Sequence, residues 1–240
     1  MENLKDRIAV VTGASSGVGK ALAHELARRG ARVLLPARDP QKLRRVSEEL
    51  EPKGAAARHW ALDLTNDDAV QRFIAEIRQE FSGIDFLIHS AGIFRREALA
   101  FAAVAEFDAL YRTNVRAPFM VTQGLLPSII ACSVVIAFIN STAGERALAK
   151  VGQYAASKHA LKAVADALRL EMRPHGVRVL SVMLGLTATP MQEEVCRLEG
   201  AIYDPSRFLQ PVQVARAAID SLLLPSEAAV ETLHLRPTDA

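Results

Sequence analysis

The segment that decides the fold is IAVVTGASSGVG, at residues 8–19. A short apolar run leads into a glycine-rich turn, and a helical pattern begins at Gly17. Gly13 permits a tight turn after the strand, Gly17 lets the backbone approach a phosphate, and Gly19 lets the helix pack close to the sheet. The helix N-terminus then faces the phosphates. This stretch predicts a strand, turn and helix that bind a dinucleotide through Gly13, Ser15, Ser16, Gly17, Val18 and Gly19.

Strand and helix patterns alternate along the rest of the chain. The apolar runs predict strands at residues 8–11, 32–36, 59–62, 86–89, 134–139 and 177–183. We expect the first helix to run from Gly17 to Gly30, with Gly30 as its C-cap, and the third to be capped by Thr65 or Asn66. Strict alternation implies right-handed crossovers, a parallel sheet and ligands at the carboxyl ends of the strands. The predicted fold is α/β: a single-domain Rossmann fold over residues 1–240, with a doubly wound parallel sheet of about seven strands flanked by helices.

Composition narrows the class of protein. A chain of 240 residues suits one large domain, and its 50% hydrophobic and 5% aromatic content predicts a core of small aliphatic residues. The formal net charge is +2 without a long basic run, so we expect no nucleic-acid partner. Cys132 and Cys196 lie far apart, which predicts neither a disulfide framework nor a metal site and favours a cytoplasmic location. Residues 1–7 are polar and predict neither a signal peptide nor a membrane span.

The end of the second predicted strand bears on the choice of cofactor. An acidic residue there would accept hydrogen bonds from the ribose of NAD, but the chain has Ala37 and Arg38. A guanidinium at this place favours NADP(H), whose extra phosphate it can bind. Two alternatives remain, because Asp39 could still reach a ribose and Arg38 could be a solvated loop residue. Asp63, after the third strand, either accepts a hydrogen bond from the adenine amine or caps a turn.

The sequence YAASK places Tyr154 and Lys158 one helical turn apart, and Ser141 precedes them at the end of the fifth predicted strand. A phenol, whose ordinary pKa is about 10, is a weak base at neutral pH, and a lysine on the same helix face favours its phenolate form. Ser141 can donate a hydrogen bond to a substrate oxygen and hold it near Tyr154. These residues are the parts of a proton-transfer site.

The order and spacing of several motifs together resemble the short-chain dehydrogenase/reductase family. The resemblance runs from about Lys5 to Thr189 and rests on the glycine loop, Asp63-Leu64, Ala91-Gly92, Asn114, Ser141, Tyr154 and Lys158. It implies that Tyr154 is the general acid/base, that Lys158 also holds the nicotinamide ribose, and that Asn114 holds a water linking Lys158 to solvent. It further implies cofactor contacts from Leu64, Ala91, Gly92, Gly185 and Thr189, with Thr187 competing for the role of Thr189.

The chain departs from the family pattern in three places. His89-Ser90 replaces two asparagines, and Leu184-Gly185 replaces Pro-Gly. The ending at residues 232–238, TLHLRPT, is similar to a branch that contains 3-hydroxy acid and serine dehydrogenases. This ending replaces the glycine-rich one of many tetrameric members. We expect a homodimer or homotetramer, with the small-residue helix faces after Ala105 and Tyr154 as possible contact surfaces.

Substrate contacts are expected from residues 93–99 and 143–152 and from a lid around residues 186–211. A substrate carboxylate could be held by one of several arginines, each of which also fits a solvated surface role: Arg95, Arg96, Arg146, Arg197 and Arg207.

The predicted activity is that of an NADP-dependent oxidoreductase that interconverts an alcohol and a carbonyl of a small molecule. A hydroxy acid dehydrogenase is the alternative within this class, and a dinucleotide-binding regulator or scaffold with little turnover is the alternative outside it.

Overall fold

A computed structural model describes residues 3–50, 56–130, 135–225 and 227–238. Seven strands form one sheet in the order β3-β2-β1-β4-β5-β6-β7, and every neighbouring pair is parallel. The strands are β1 Ile8–Thr12, β2 Arg32–Ala37, β3 Ala57–Ala61, β4 Phe86–His89, β5 Val135–Ser141, β6 Arg178–Leu184 and β7 Thr232–Leu235. The predicted α/β class, the Rossmann topology and the single domain are confirmed.

Helices cover both faces of this sheet. They are α1 Gly17–Arg28, α2 Pro40–Leu50, α3 Asp67–Glu80, α4 Val104–Tyr111, α5 Ala117–Ile130, α6 Gly152–Met172, α7 Pro190–Glu199 and α8 Pro211–Leu222. The strand order reverses at β1, which has β2 on one side and β4 on the other. A crevice therefore opens beyond the carboxyl ends of β1 and β4, the usual ligand position in such sheets.

Two hydrophobic layers, one on each face, hold the sheet. Successive strand residues point to opposite faces, so Ala9 and Val11 pack in one layer and Val10 in the other. The first layer contains side chains of α1, α2 and α8, and the second those of α3, α5 and α6. Because both faces are covered, β1 is almost completely buried, which explains its uninterrupted apolar sequence.

Most predicted element boundaries differ little from the observed ones. The first helix ends at Arg28, and Gly30 follows with a left-handed φ of 98°. Asn66, one of two predicted caps, accepts a hydrogen bond from the backbone N–H of Ala69. The third strand begins at Ala57 and ends at Ala61, and its partly exposed residues at the edge of the sheet lack the apolar run that marks the inner strands. Val134, predicted as the start of the fifth strand, lies outside the described residues.

No helix in the described part of the chain is both long and apolar enough to cross a lipid bilayer.

Candidate active site

A cleft of about 1280 Å³ lies at the carboxyl ends of the strands. It is larger than the roughly 300–1,000 Å³ typical of a site for one small ligand, so it has room for a cofactor and a substrate together. All but one of the predicted site residues line it: Gly13, Ser15, Ser16, Gly17, Val18, Gly19, Arg38, Asp63, Leu64, Ala91, Gly92, Ser141, Tyr154, Lys158, Gly185, Thr187 and Thr189. The exception, Asn114, is fully buried beside it.

The glycine loop has no space for side chains at its first and last glycines. Gly13 has a φ of 69°, and a Cβ on it would lie 2.7 Å from the Cα of Ala91. A Cβ on Gly19 would overlap the carbonyl oxygen of Gly13. The hydroxyl of Thr12 accepts hydrogen bonds from the backbone N–H groups of Ser90 and Ala91, at 3.2 and 3.3 Å. Thr12 thus holds the segment after β4 through the backbone N–H groups of that segment. This contact does not need the asparagine that the family has at the position of Ser90.

At one end of the cleft, Arg38 is exposed and forms no hydrogen bond or ion pair with another described residue. The carboxylate of Asp39 accepts hydrogen bonds from the backbone N–H groups of Gln41 and Lys42, both at 3.0 Å, and so caps α2. These hydrogen bonds, the one from Lys42 first, lower the pKa of Asp39. Lys42 also lines the cleft. Sequence reasoning missed this second cation, although its place in the first turn of α2, just after Arg38, was a usable signal.

Asp63 caps a turn. Its Oδ1 accepts hydrogen bonds from the backbone N–H and the hydroxyl of Thr65, at 2.9 and 2.8 Å. These bonds, together with the charge of Arg38, lower the pKa of Asp63. The turn-capping alternative is therefore observed, and the contact with adenine stays a prediction that the second carboxylate oxygen leaves possible.

Tyr154, Ser141 and Lys158 meet near the middle of the cleft. The Tyr154 side chain is buried, its ring packs edge-on against Phe94 at a centroid distance of 4.9 Å, and its hydroxyl lies near that of Ser141. Burial raises the pKa of Tyr154 to about 12, and the nearby Ser141 hydroxyl opposes that rise as a hydrogen-bonding group. Ser141 Oγ also accepts the backbone N–H of Ala143 at 3.1 Å, which fixes the serine at the end of β5.

Lys158 is a buried ammonium whose Nζ forms one hydrogen bond and no ion pair with the described residues. Its Nζ lies 5.9 Å from the centre of the Tyr154 ring and donates a hydrogen bond to the carbonyl oxygen of Ile139 at 3.2 Å. Burial lowers the pKa of Lys158 to about 8. No carboxylate of the described residues lies within ion-pairing distance of it. Two of its three N–H donors therefore stay available to a ligand.

This burial predicts a specific effect of Lys158→Met on stability. The unfolded chain keeps the lysine proton up to pH 10.5 and the folded chain only up to about pH 8, so the ammonium lowers stability below pH 8. The shift corresponds to at most about 3 kcal/mol. We expect the variant to have a higher free energy of unfolding in urea at pH 7, and this gain to shrink as the pH rises from 8 to 10.5.

Lys162→Met is the matched control, because Lys162 lies on the same helix, partly exposed and paired with Asp166. Its effect on the free energy of unfolding is expected to be small at pH 7 and at pH 10. An equal destabilisation of Lys158→Met at pH 7 and pH 10 would contradict the cost assigned to the buried charge.

Asn114 lies in a π-helical turn, Arg112–Arg116, which joins α4 to α5. Its amide nitrogen donates hydrogen bonds to the carbonyl oxygen of Ile93 and the hydroxyl of Ser157, both at 3.0 Å, and its oxygen accepts the N–H of Ile93 at 2.9 Å. The side chain therefore ties the segment after β4 to the helix of the acid/base pair. Its amide donors are already used, so the role of holding a water stays a prediction for its remaining acceptors.

The loop after β6 contains both candidate threonines. The Thr187 hydroxyl donates a hydrogen bond to the carbonyl oxygen of Gly185 at 3.0 Å. The Thr189 hydroxyl caps α7 by accepting the backbone N–H of Gln192 at 3.2 Å, so its own O–H donor is free for a ligand. The geometry favours Thr189 over Thr187 as a hydrogen-bond donor to a bound amide.

Three contacts hold the segments predicted to contact substrate: two join these segments to one another, and the third joins one of them to β7. Arg96 forms an ion pair with Glu199 of α7 at 2.6 Å. The backbone N–H of Glu97 donates to the carbonyl oxygen of Lys150 at 2.8 Å. Glu145 pairs with His234 of β7 at 2.9 Å. Residues from all three predicted segments line the cleft, as do Arg236 and Pro237 from beyond β7.

The five candidate arginines divide into two groups. Arg95 and Arg197 do not line the cleft and are paired with Glu106 and Glu194, so they are wrong as candidates for a substrate carboxylate. The other three line the cleft: Arg96, Arg146 and Arg207. Sequence reasoning missed Arg236, whose position beside the cleft depends on the parallel pairing of β7 with β6.

His89 and Cys196 are further side chains with reactive groups, and both are buried. His89 is fully buried and hydrogen-bonded to Thr122 at 2.8 Å, and burial lowers the pKa of His89 to about 3, so the ring is neutral. Cys196 is buried and unbonded to another cysteine, whereas Cys132 lies outside the described residues. Among the described residues, no group of three or more His, Cys, Asp or Glu side chains is arranged to hold a metal ion.

The sequence profile of the short chain dehydrogenase family matches residues 7–199. The chain belongs to this family. An uncharacterized oxidoreductase of Staphylococcus saprophyticus is 31% identical to this short chain dehydrogenase over 239 residues, which is 99% of this chain and 100% of the relative.

Two solved structures are similar to this short chain dehydrogenase over nearly its whole length. An alcohol dehydrogenase from the archaeon Thermococcus sibiricus, complexed with 5-hydroxy-NADP, has a TM-score of 0.89 and 26% identity, and the match covers 98% of this chain and 97% of that one. A metagenomic short-chain oxidoreductase in complex with NADP has a TM-score of 0.84 and 32% identity, with 98% of both chains covered.

Proposed function

We propose that this protein is an NADP-dependent oxidoreductase that interconverts an alcohol and a carbonyl group. The observation that carries the proposal is that one cleft holds the glycine loop, Arg38 and the three reacting groups Ser141, Tyr154 and Lys158. The two solved relatives described above were complexed with NADP or an NADP analogue, which supports the same cofactor here.

The residues present fit NADP(H). The loop from Gly13 to Gly19 presents backbone and the N-terminus of α1 to the cleft, which suits a pyrophosphate. Arg38 has its donors free. Lys42 lies on the same side with its Nζ 3.8 Å from the Asp39 carboxylate, and this exposed pair can open to give a second cation to the ribose phosphate. Lys158 can donate to the nicotinamide ribose and Thr189 to the nicotinamide amide. When bound, the nicotinamide supplies or accepts the hydride.

The chain's own residues move and position the proton. With its pKa near 12, Tyr154 carries its proton at neutral pH, which is the form that carbonyl reduction requires. Ser141 is close enough to bond with the same hydroxyl and can hold the substrate oxygen beside it. As Tyr154 gives up its proton, the Lys158 ammonium stabilises the phenolate in surroundings from which water is largely excluded. In the opposite direction the phenolate takes the proton of the alcohol.

Fluorescence titration with NADPH and NADH, followed by oxidation of the bound cofactor with ketones, aldehydes and keto acids, tests the proposal. We expect tighter binding of NADPH than of NADH, and turnover with at least one carbonyl class. Tight NADPH binding without turnover, together with binding of a protein partner that changes on NADPH addition, would instead support a regulator. Failure to bind either nucleotide would overturn the proposal.

We also propose that the protein is a cytoplasmic homodimer or homotetramer. Large apolar side chains are exposed on and just before α4 and on α5: Phe101, Val104, Phe107, Tyr111 and Phe119. Light scattering after size-exclusion chromatography measures the assembly. Phe107→Asp is expected to shift it toward the monomer, and a monomeric wild type would contradict the proposal.

A further inference from the structure

Three arginines give the substrate end of the cleft a net positive charge. Arg146, Arg207 and Arg236 line the cleft, are exposed, and form no side-chain hydrogen bond or ion pair with another described residue. Asp204, which is close enough to Arg207 to be affected by its charge, uses its carboxylate to accept hydrogen bonds from Ser206 and does not line the cleft.

The acidic residues of the cleft balance these three charges only in part. Glu199 is ion-paired with Arg96 at 2.6 Å, and Glu145, whose carboxylate is hydrogen-bonded to His234 at 2.9 Å, is one negative charge against three positive ones. The remaining acids that line the cleft, Asp39 and Asp63, lie beyond β2 and β3, at the end where Arg38 stands.

The backbone places the three arginines around one loop. Gly185 follows Leu184, which pairs with Ser141 in the sheet. Arg236 packs against Gly185, because a Cβ on that glycine would lie 3.4 Å from the Cα of Arg236. Arg207 lies two residues before Leu209, whose N–H bonds to the carbonyl oxygen of Leu186 at 3.0 Å.

Arg146 reaches the same region from the other side of the cleft. Its neighbour Glu145 is paired with His234, two residues before Arg236. The three positive charges therefore lie near the carboxyl ends of β5, β6 and β7, on the Ser141 side of the cleft.

Apolar side chains are also exposed in this cleft. Leu148, Met191 and Ile202 line it with 63%, 40% and 92% of their surface exposed. Side chains of this kind gain free energy when a ligand removes them from water, and grouped apolar exposure is typical of a binding surface. Two of them are close to the arginines in sequence: Leu148 is two residues after Arg146, and Ile202 is five residues before Arg207.

We propose that the physiological carbonyl substrate is an amphipathic anion. Its apolar body contacts Leu148, Met191 and Ile202, and its anionic group, a carboxylate or a phosphate, binds to one or more of Arg146, Arg207 and Arg236. A bidentate guanidinium contact matches either anion. This inference rests on the proposed function, and it names the substrate class for that reaction.

The test is NADPH-dependent reduction of related carbonyl compounds with and without an anionic group. Pyruvate, acetoacetate and levulinate vary the distance between carbonyl and carboxylate, and each is compared with its methyl ester and with a longer-chain homologue. Dihydroxyacetone phosphate beside dihydroxyacetone tests the phosphate. We expect kcat/KM for the best anion to exceed that of its neutral partner by about tenfold or more, and to rise with chain length.

The variants R146Q, R207Q and R236Q assign the contact. At least one should lower kcat/KM for the anion by about tenfold or more while changing the neutral partner by less than about twofold and leaving the Kd for NADPH unchanged. R197Q is the matched control, because Arg197 lies on α7 outside the cleft lining and pairs with Glu194.

Equal rates for acids and esters would overturn the inference and leave the proposed function standing. A variant that weakens NADPH binding and leaves turnover of the anion unchanged would also overturn the inference and leave the proposed function standing, because its arginine would then serve the cofactor. No oxidation of bound NADPH by any pair would reject the proposed function together with the inference.

Discussion

Tyr154→Phe is expected to lower the rate of carbonyl reduction by about a hundredfold to ten-thousandfold while the Kd for NADPH stays unchanged. The substitution removes the hydroxyl that lies near Ser141, and it leaves the contact between the ring and Phe94 intact. Ser141 and Lys158 would still position the substrate and cofactor, so binding should survive the loss of proton transfer. Single-turnover oxidation of bound NADPH separates the two effects.

Tyr111→Phe serves as the control for this variant. Tyr111 is about half exposed at the end of α4 and does not line the cleft, so removal of its hydroxyl should leave turnover near the wild-type rate. Near-normal turnover of Tyr154→Phe would remove Tyr154 from the mechanism. Loss of NADPH binding by the same variant would show that its hydroxyl serves the cofactor instead.

Arg38→Asp is expected to weaken NADPH binding by about a hundredfold and to leave NADH binding unchanged or improved. The variant replaces a cation that has no partner among the described residues with a carboxylate that repels a phosphate. The same carboxylate can accept hydrogen bonds from the ribose hydroxyls of NADH. Fluorescence titration with both nucleotides at two salt concentrations measures the change, which should be smaller at the higher salt.

Arg44→Asp makes the same charge reversal on α2, six residues after Arg38, at an exposed position outside the cleft. It should change the affinities for NADPH and NADH only slightly and equally. An equal loss of both affinities in Arg38→Asp would contradict the role of Arg38 in cofactor choice. We expect Lys42, which also lines the cleft, to retain part of the NADPH affinity in Arg38→Asp.

The predictable parts of this protein were those encoded by short-range patterns. The turn from Gly13 to Gly19 and the helical spacing of Tyr154 and Lys158 are local, so neighbouring residues suffice to predict them. The alternation of strands and helices predicted the topology for a similar reason, since each crossover has one favoured hand.

Lys42 was missed despite a local signal, whereas Arg236 was missed because it depends on a contact between distant segments. Arg236 is brought beside Gly185 by the pairing of β6 with β7, and nothing in its neighbours indicates this. The role of Asp39 could not be decided until its hydrogen bonds to the N–H groups of α2 were seen. Likewise, the exclusion of Arg95 and Arg197 required knowledge of the carboxylates beside them.

The contacts that hold the substrate-side segments bear on how the protein can change over evolutionary time. Arg96–Glu199 is a partly exposed ion pair and Glu145–His234 is a partly exposed hydrogen bond, and such contacts each contribute about 1 kcal/mol or less. The acid/base pair, by contrast, stands on a long helix packed into the core. A lineage can therefore replace the loops that choose the substrate at little cost in stability and inherit the chemistry unchanged.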